Sequence, residues 1–215
     1  DLSYNGPVCT KTTTTTTNAF EPLTDSNIRD AVNAWFVDSV AAAKTYGGPI
    51  QEWDTSKVTN MNVLFGGAVG FNDDISKWNT AAVTDMAGMF AAAYVFNQDI
   101  GDWNVGAVTD MRMMFSHAYA FDQDIDDWDV SAVTDMNAMF YNAQVFNQDV
   151  GDWNVGAVTD MNYMFNSAVA FNQDISKWTT TAVTDMKNMF YKTLAFNQDI
   201  GDWNVGAVTD MNNMF

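Results

Sequence analysis

A chain of 215 residues that is 47% hydrophobic and 14% aromatic has enough apolar mass for one sizeable core and does not read as a disordered polymer. Its formal net charge of −18, from 27 Asp and Glu against 9 Lys and Arg, excludes bare nucleic acid and anionic membrane surfaces as partners, because phosphate recognition needs clustered cations. The single cysteine, Cys9, rules out an internal disulfide, and no apolar run approaches the roughly 18–20 residues that span a bilayer.

Taken in chain order, residues 1–23 form a Thr-rich segment. Six consecutive β-branched threonines, Thr12 to Thr17, disfavour helix and predict extended or disordered chain. Thr10, Thr12, Thr13, Thr14, Thr15, Thr16 and Thr17 are candidates for O-glycosylation in a stalk-like composition, with a plain linker as the alternative. No Asn-x-Ser/Thr sequon is present. Cys9 is open to pairing with another chain or with a segment outside this sequence, or to remaining a free thiol. The chain begins with Asp1, as expected of a processed protein or a fragment.

Residues 24–50 predict an N-terminal capping helix. Thr24 or Asp25 supplies an N-cap, and Ile28, Val32, Trp35, Phe36 and Val40 fall on one face over 24–46. Gly47, Gly48 and Pro49 end it.

Residues 51–215 repeat with a step of 25. Tryptophan recurs at 53, 78, 103, 128, 153, 178 and 203. Valine runs from Val58 to Val208, and one phenylalanine column runs from Phe65 to Phe215 and another from Phe71 to Phe196. A two-coil period lies on top: the stretch Gly101–Val108 returns at Gly151 and Gly201. In the coil that starts at Trp103, Val108, Met111, Met114, Phe115, Ala118 and Phe121 are apolar at helical spacing, behind the N-cap candidates Thr109 and Asp110. This predicts a short helix or 3₁₀ stretch from Met111 to about Ala118, with a short strand near Ile125 and Trp128. The expected fold is an α/β solenoid, one short strand and one short helix per coil, stable only as a stack.

Repeated polar columns need an account. The methionines from Met61 to Met211 sit on the core face and read as filler rather than as thioether metal ligands. Asn72, Asn97, Asn147, Asn172 and Asn197, with Asp122 in the same register, predict a hydrogen-bonded ladder. Asp74, Asp99, Asp124, Asp149, Asp174 and Asp199 would lie roughly 5 Å apart in stacked coils. That repulsion needs relief, and weak Ca²⁺ binding is one candidate, although the EF-hand and glycine-rich nonapeptide patterns are absent. A lone His117, no phosphate loop and no nucleophile elbow argue against an enzyme. Paired carboxylates recur in every coil, whereas a catalytic pair is normally unique. No cofactor other than Ca²⁺ is implied.

The run Val108-x-x-Met111-x-x-Met114-Phe115-x-x-Ala118-x-x-Phe121, followed by Asp/Asn-Gln-Asp-Ile and Trp, closely resembles the BspA-like class of leucine-rich repeat. More narrowly, it is similar to the 25-residue variant of mycoplasma, bacterial, diatom and algal surface proteins. The lead-in from Phe36 to Trp53 also resembles that family's first cap. The resemblance covers roughly residues 20–215. It implies a right-handed solenoid, cell-surface or secreted, with adhesive or interaction roles and no catalytic residues.

The leading expectation is an extracellular structural or adhesive repeat protein. Head-to-tail filament assembly, with the chain as its own partner through Met214 and Phe215 meeting Tyr4, Val8 and Phe20 of the next subunit, stands beside a fragment of a longer array. Recognition of glycans or surface proteins is the alternative, with Tyr94, Tyr119, Tyr141, Tyr163 and Tyr191 off the invariant columns. Ice binding through the column Thr59 to Thr209 is a third reading.

Overall fold

The computed structural model describes residues 20–215. Tyr4, Val8, Cys9, Thr10 and Thr12 to Thr17 therefore lie outside the described residues.

The cap carries two helices, α1 (Ile28–Val37) and α2 (Ser39–Tyr46), followed by a 3₁₀ turn, Ile50–Glu52. The single helix expected over 24–46 is broken at Asp38, which is extended (φ −154°, ψ 95°). Its carboxylate accepts the N–H groups of Val40 and Ala41 at 3.0 Å, so a short acceptor side chain starts a second helix where the first would have continued. The N-cap of α1 is Asn27 rather than Thr24 or Asp25. The break also ends the apolar stripe: Ile28, Ala31 and Val32 are buried, but Val40 is 65% exposed. Gly47, at φ 96°, terminates α2 in the left-handed conformation.

Asp25 instead completes the first coil. Its carboxylate accepts from the Thr59 N–H (2.7 Å), the Thr59 hydroxyl (2.6 Å) and the Asn60 N–H (3.0 Å). In each later coil the corresponding threonine N–H goes to the threonine carbonyl of the coil before it, at 2.8–2.9 Å. Asp25 thus stands in for the carbonyl of a coil that is not there. Burial opposes ionisation of this group, but the Thr59 and Asn60 hydrogen bonds outweigh it and hold the carboxyl below its ordinary range. Leu23 N–H donates to the Asp54 carbonyl, and Thr24 pairs in parallel with Lys57.

Beyond the cap, parallel bridges join Asn60 to Asp85, Asp85 to Asp110, and so on to Asp210, each a step of 25. Successive coils therefore lie side by side in register. In the stretch after each bridge, alternate N–H groups point in different directions. Met61, Val63, Phe65 and Gly67 donate to Asp85, Ala87, Met89 and Ala91 of the next coil, while Leu64, Gly66 and Ala68 donate three residues back within their own coil.

That pattern corrects the expected helix or 3₁₀ stretch. Residues 111–118 form a run of turns, with Met113 and His117 at φ 55° and 59°. No α-helix lies in the coils among the described residues. The physical reason is pitch. Equivalent phenylalanine rings in adjacent coils are 5.6–5.8 Å apart. An α-helix with its side chains is about 10–12 Å across and cannot repeat at that spacing. Turns advancing three residues at a time produce the same apolar spacing without the diameter. Each coil requires two left-handed residues, one in the column Val63, Gly88, Met113, Ala138, Tyr163, Asn188 and Asn213 and one in the column from Gly67 to Lys192. Only two of these thirteen positions, Gly67 and Gly88, carry glycine; elsewhere a side chain is held at φ > 0, at a cost of roughly 1 kcal/mol each.

The core is aromatic and layered. Phe65, Phe90, Phe115, Phe140, Phe165 and Phe190 stack along the array, each also stacked at 3.9–4.2 Å on the second phenylalanine of its own coil. Such pairs contribute about 0.5–1.5 kcal/mol each beyond area burial. Apart from Met113, the methionines from Met61 to Met189 are buried with them in the same core. Each indole N–H from Trp78 to Trp203 donates to a carbonyl 28 residues earlier, tying one coil to the one before it. The cap ends all three aromatic columns by turning rings on edge: Trp35 meets Trp53 at 87°, and Phe36 meets Phe65 and Phe71 at 74° and 79°.

Candidate interaction surface

Most polar side chains of the coils are engaged by their own backbone. Asp74, Asp99, Asp124, Asp149, Asp174 and Asp199 each accept the N–H two residues ahead, at 2.9–3.2 Å. Hydrogen bonds from Ser76 and Ser176 hold Asp74 and Asp174 below the ordinary carboxylate range. The bridge-column aspartates, Asp85 to Asp210, make the same two-residue turn. Burial raises Asp135 and Asp160 above the ordinary range, with the neighbouring carboxylates adding to it. Among the described residues, no group of three or more His, Cys, Asp and Glu side chains is placed to hold a metal ion. Asp99, Asp102, Asp124, Asp126 and Asp127 line an acidic cleft beside Trp103.

The asparagine register forms a ladder in which each side-chain oxygen accepts the backbone N–H of the next coil, at 2.8–2.9 Å. Asp122 fits because the ladder needs only an acceptor oxygen, and it also takes a hydrogen bond from Gln148. The threonine column is tied in similarly: the hydroxyls of Thr84 to Thr209 donate to the preceding threonine carbonyl at 3.0–3.3 Å. At the last coil Met214 is buried, while Phe215 stacks on Phe190 and is otherwise exposed. Phe20, the first described residue, packs its ring over Gly47.

One surface lies outside this internal bonding. Within the turn stretch of each coil, the residues between the bridge aspartate and the second phenylalanine include positions that point outward. Four of the five tyrosines singled out by their irregular positions meet there, through His117. Tyr94 and Tyr119 stack with centroids 4.8 Å apart. His117 lies 6.0 Å from Tyr119 and 4.9 Å from Tyr141, and Tyr141 lies 6.1 Å from Tyr163. The result is a diagonal row of rings across four coils. Tyr191 stands apart from it, under the Lys192 ammonium. Burial pushes the His117 imidazole below its ordinary value, which favours the neutral ring at pH 7. Beside the row, Val63, Ala87, Gly88, Ala91, Arg112 and Met113 line a shallow depression of about 430 Å³. Val69, Val95, Val145, Val169 and Leu194 are also exposed on these stretches.

Sequence reasoning overlooked the charge pattern of this surface. Residues 62–70, 87–95, 112–120, 137–145, 162–170 and 187–195 contain none of the chain's 27 Asp and Glu. The signal was available in the columns, but it emerges only when charge is counted by repeat position rather than over the whole chain. Arg112, the cation on the depression, is paired with Asp110 at 2.8 Å and faces Asp135 at 3.6 Å. The surface is thus apolar and aromatic at its centre, with a row of aspartates along its edge.

The model of the family described as "Mycoplasma protein of unknown function, DUF285" matches residues 35–143 and again 123–215. No curated protein and no solved structure matches the chain. The two matches together span the second half of the cap and all the repeats, and the chain belongs to that family of Mycoplasma proteins of unknown function.

Proposed function

We propose that the chain is an extracellular structural or adhesive repeat protein that acts by surface contact rather than by catalysis. In this reading its coils form a right-handed solenoid of the BspA-like leucine-rich-repeat type. The observation that carries it is the acid-free face crossed by the row Tyr94, Tyr119, His117, Tyr141 and Tyr163 on an otherwise strongly acidic chain. Contiguous exposed apolar surface of this kind marks contact sites. The repeated carboxylates, by contrast, are occupied in backbone turns, as architectural groups are.

The test is bead adhesion. Beads coated with the protein should attach to cell monolayers or matrix-coated plates well above albumin-coated beads. The double variant Tyr119→Ser/Tyr141→Ser, checked for an unchanged melting curve, should lose most of that attachment. Attachment no better than albumin, or undiminished in the variant, would overturn the reading.

A further inference from the structure

We infer that the acid-free face docks a protein partner whose contact surface has an apolar or aromatic centre ringed by lysine and arginine. The inference rests on reading this face as adhesive and names the chemistry of what it meets.

Three observations converge on that occupant. First, the face approaches the composition of a protein-interface core. Aspartate and glutamate are missing from all six stretches, Arg112, Lys187 and Lys192 are their only Lys or Arg, and Tyr94 and Met113 are among the side chains that reach the surface. Depletion of charge with enrichment of aromatics, Met and Arg distinguishes the centre of a protein interface from ordinary surface. Second, the exposed side chains are largely aliphatic: Val63 is 51% exposed, Met113 47% and Leu194 80%. A hydroxyl-rich glycan has little use for such groups, whereas a partner with its own apolar side chains gains by covering them. Third, the edge is acidic. Asp85, Asp110, Asp135, Asp160 and Asp185 run alongside the face in register, in a chain of net charge −18. A second copy would bring its own aspartates against these, and like-charge juxtaposition disfavours that pairing. A basic rim complements them and speeds encounter at low salt.

The probe is a synthetic amphipathic helical peptide with leucine on one face and lysine on the other. Its controls are a scrambled isomer of identical composition and a panel of neutral polysaccharides. Binding is followed by fluorescence anisotropy with the whole chain. The amphipathic peptide should bind at least tenfold more tightly than its scramble. Tyr119→Ser/Tyr141→Ser should abolish that preference. Val145→Asp, which places a carboxylate on an exposed position without removing core contacts, should abolish it as well. Asp85→Asn/Asp160→Asn keeps the turn acceptors and should weaken both peptides and flatten their salt dependence.

Equal binding of peptide and scramble would mean bulk charge alone and would overturn the inference. So would a preference that survives both face variants, or polysaccharide binding lost in those variants. Beads that fail to attach while the peptide preference holds would sink the adhesive reading and leave this inference standing. Attachment without any peptide preference would do the reverse.

Discussion

The cap and the coils satisfy the same backbone in opposite ways. In α1 and α2, hydrogen bonds close within a few residues, as in Ala31 N–H to Asn27 and Ala42 N–H to Asp38. In the coils, every second N–H of the turn stretch is lent to a neighbour 24 residues away. A cap helix closes its bonds on itself, whereas a single coil leaves half of its turn-stretch N–H groups without acceptors and its stacked phenylalanine pair uncovered on both sides. Stability is therefore a property of neighbouring pairs of coils, with the cap acting as an artificial first neighbour.

The largest expected effect breaks the coil side of that comparison. Phe115→Ala removes a ring stacked on Phe90, Phe121 and Phe140 and should cost about 3–5 kcal/mol in chemical denaturation. Amide exchange should accelerate in the flanking coils far more than in α1. A loss below about 1 kcal/mol would mean the rows are not the main source of cohesion.

Asp25→Ala tests the artificial neighbour. It strips the Thr59 and Asn60 N–H groups of their acceptor and should cost about 1–2 kcal/mol. Exchange at Thr59 should rise before that at Thr109. The acid side of the stability profile should change too. With its pKa lowered in the folded state, Asp25 contributes stability that is present above its unfolded value and lost as pH falls through the folded one. The variant should therefore match the wild type more closely at low pH than at neutral pH.

Ala138→Gly acts in the other direction. Ala138 is held at φ 53°, and glycine adopts that conformation without a Cβ penalty. Stability should rise by about 1 kcal/mol, less the greater entropy of the unfolded glycine. A decrease would show that the left-handed columns are not strained.

The smallest effect concerns pH. The raised pKa of Asp160 means that its protonated form is favoured by folding. The stabilisation is full below the unfolded pKa and is lost as pH rises through the folded one. Asp160→Asn keeps the acceptor for the Asn162 N–H while removing the charge, and should stabilise the chain at pH 7 by well under about 1 kcal/mol. The gain should fade as the wild type is titrated toward its folded pKa. A variant less stable than wild type at pH 7 would contradict that assignment.

Much of this was legible in the sequence, and the misreadings have physical causes. The step of 25 made visible which residues share a column, and like residues do pair across coils, as Asp110 does with Asp135. The step from Met111 to Met114 did not separate helix from turns, since both advance the apolar face by three. The roughly 5 Å spacing expected of the carboxylates did not decide this, because a curved array can hold one side of its coils close and spread the other; the 5.6–5.8 Å between phenylalanines on the turn stretch itself does. The pair Asp38-Ser39 carried the helix-start signal that the apolar stripe concealed. The ring row could not be read, because Tyr94, Tyr141 and Tyr163 occupy three different columns and meet only along a diagonal.

The lent N–H groups of the turn stretch all point the same way, from each coil to the one after it, as from Met61 to Asp85 and from Phe90 to Met114. Each peptide unit carries a dipole of about 3.5 D, and aligned units add. Fewer N–H groups run against this sense: one threonine and one ladder residue per coil, together with Ala120 to Tyr94 and Ala195 to Val169. The turn side of the array therefore has an electrical polarity, opposite in sense to that of an α-helix: its carbonyl-rich negative pole faces the cap, and its positive pole faces the last coil. Arg29, reaching from α1 to the Asn60 side-chain oxygen, sits at the negative pole, where a cation is favoured.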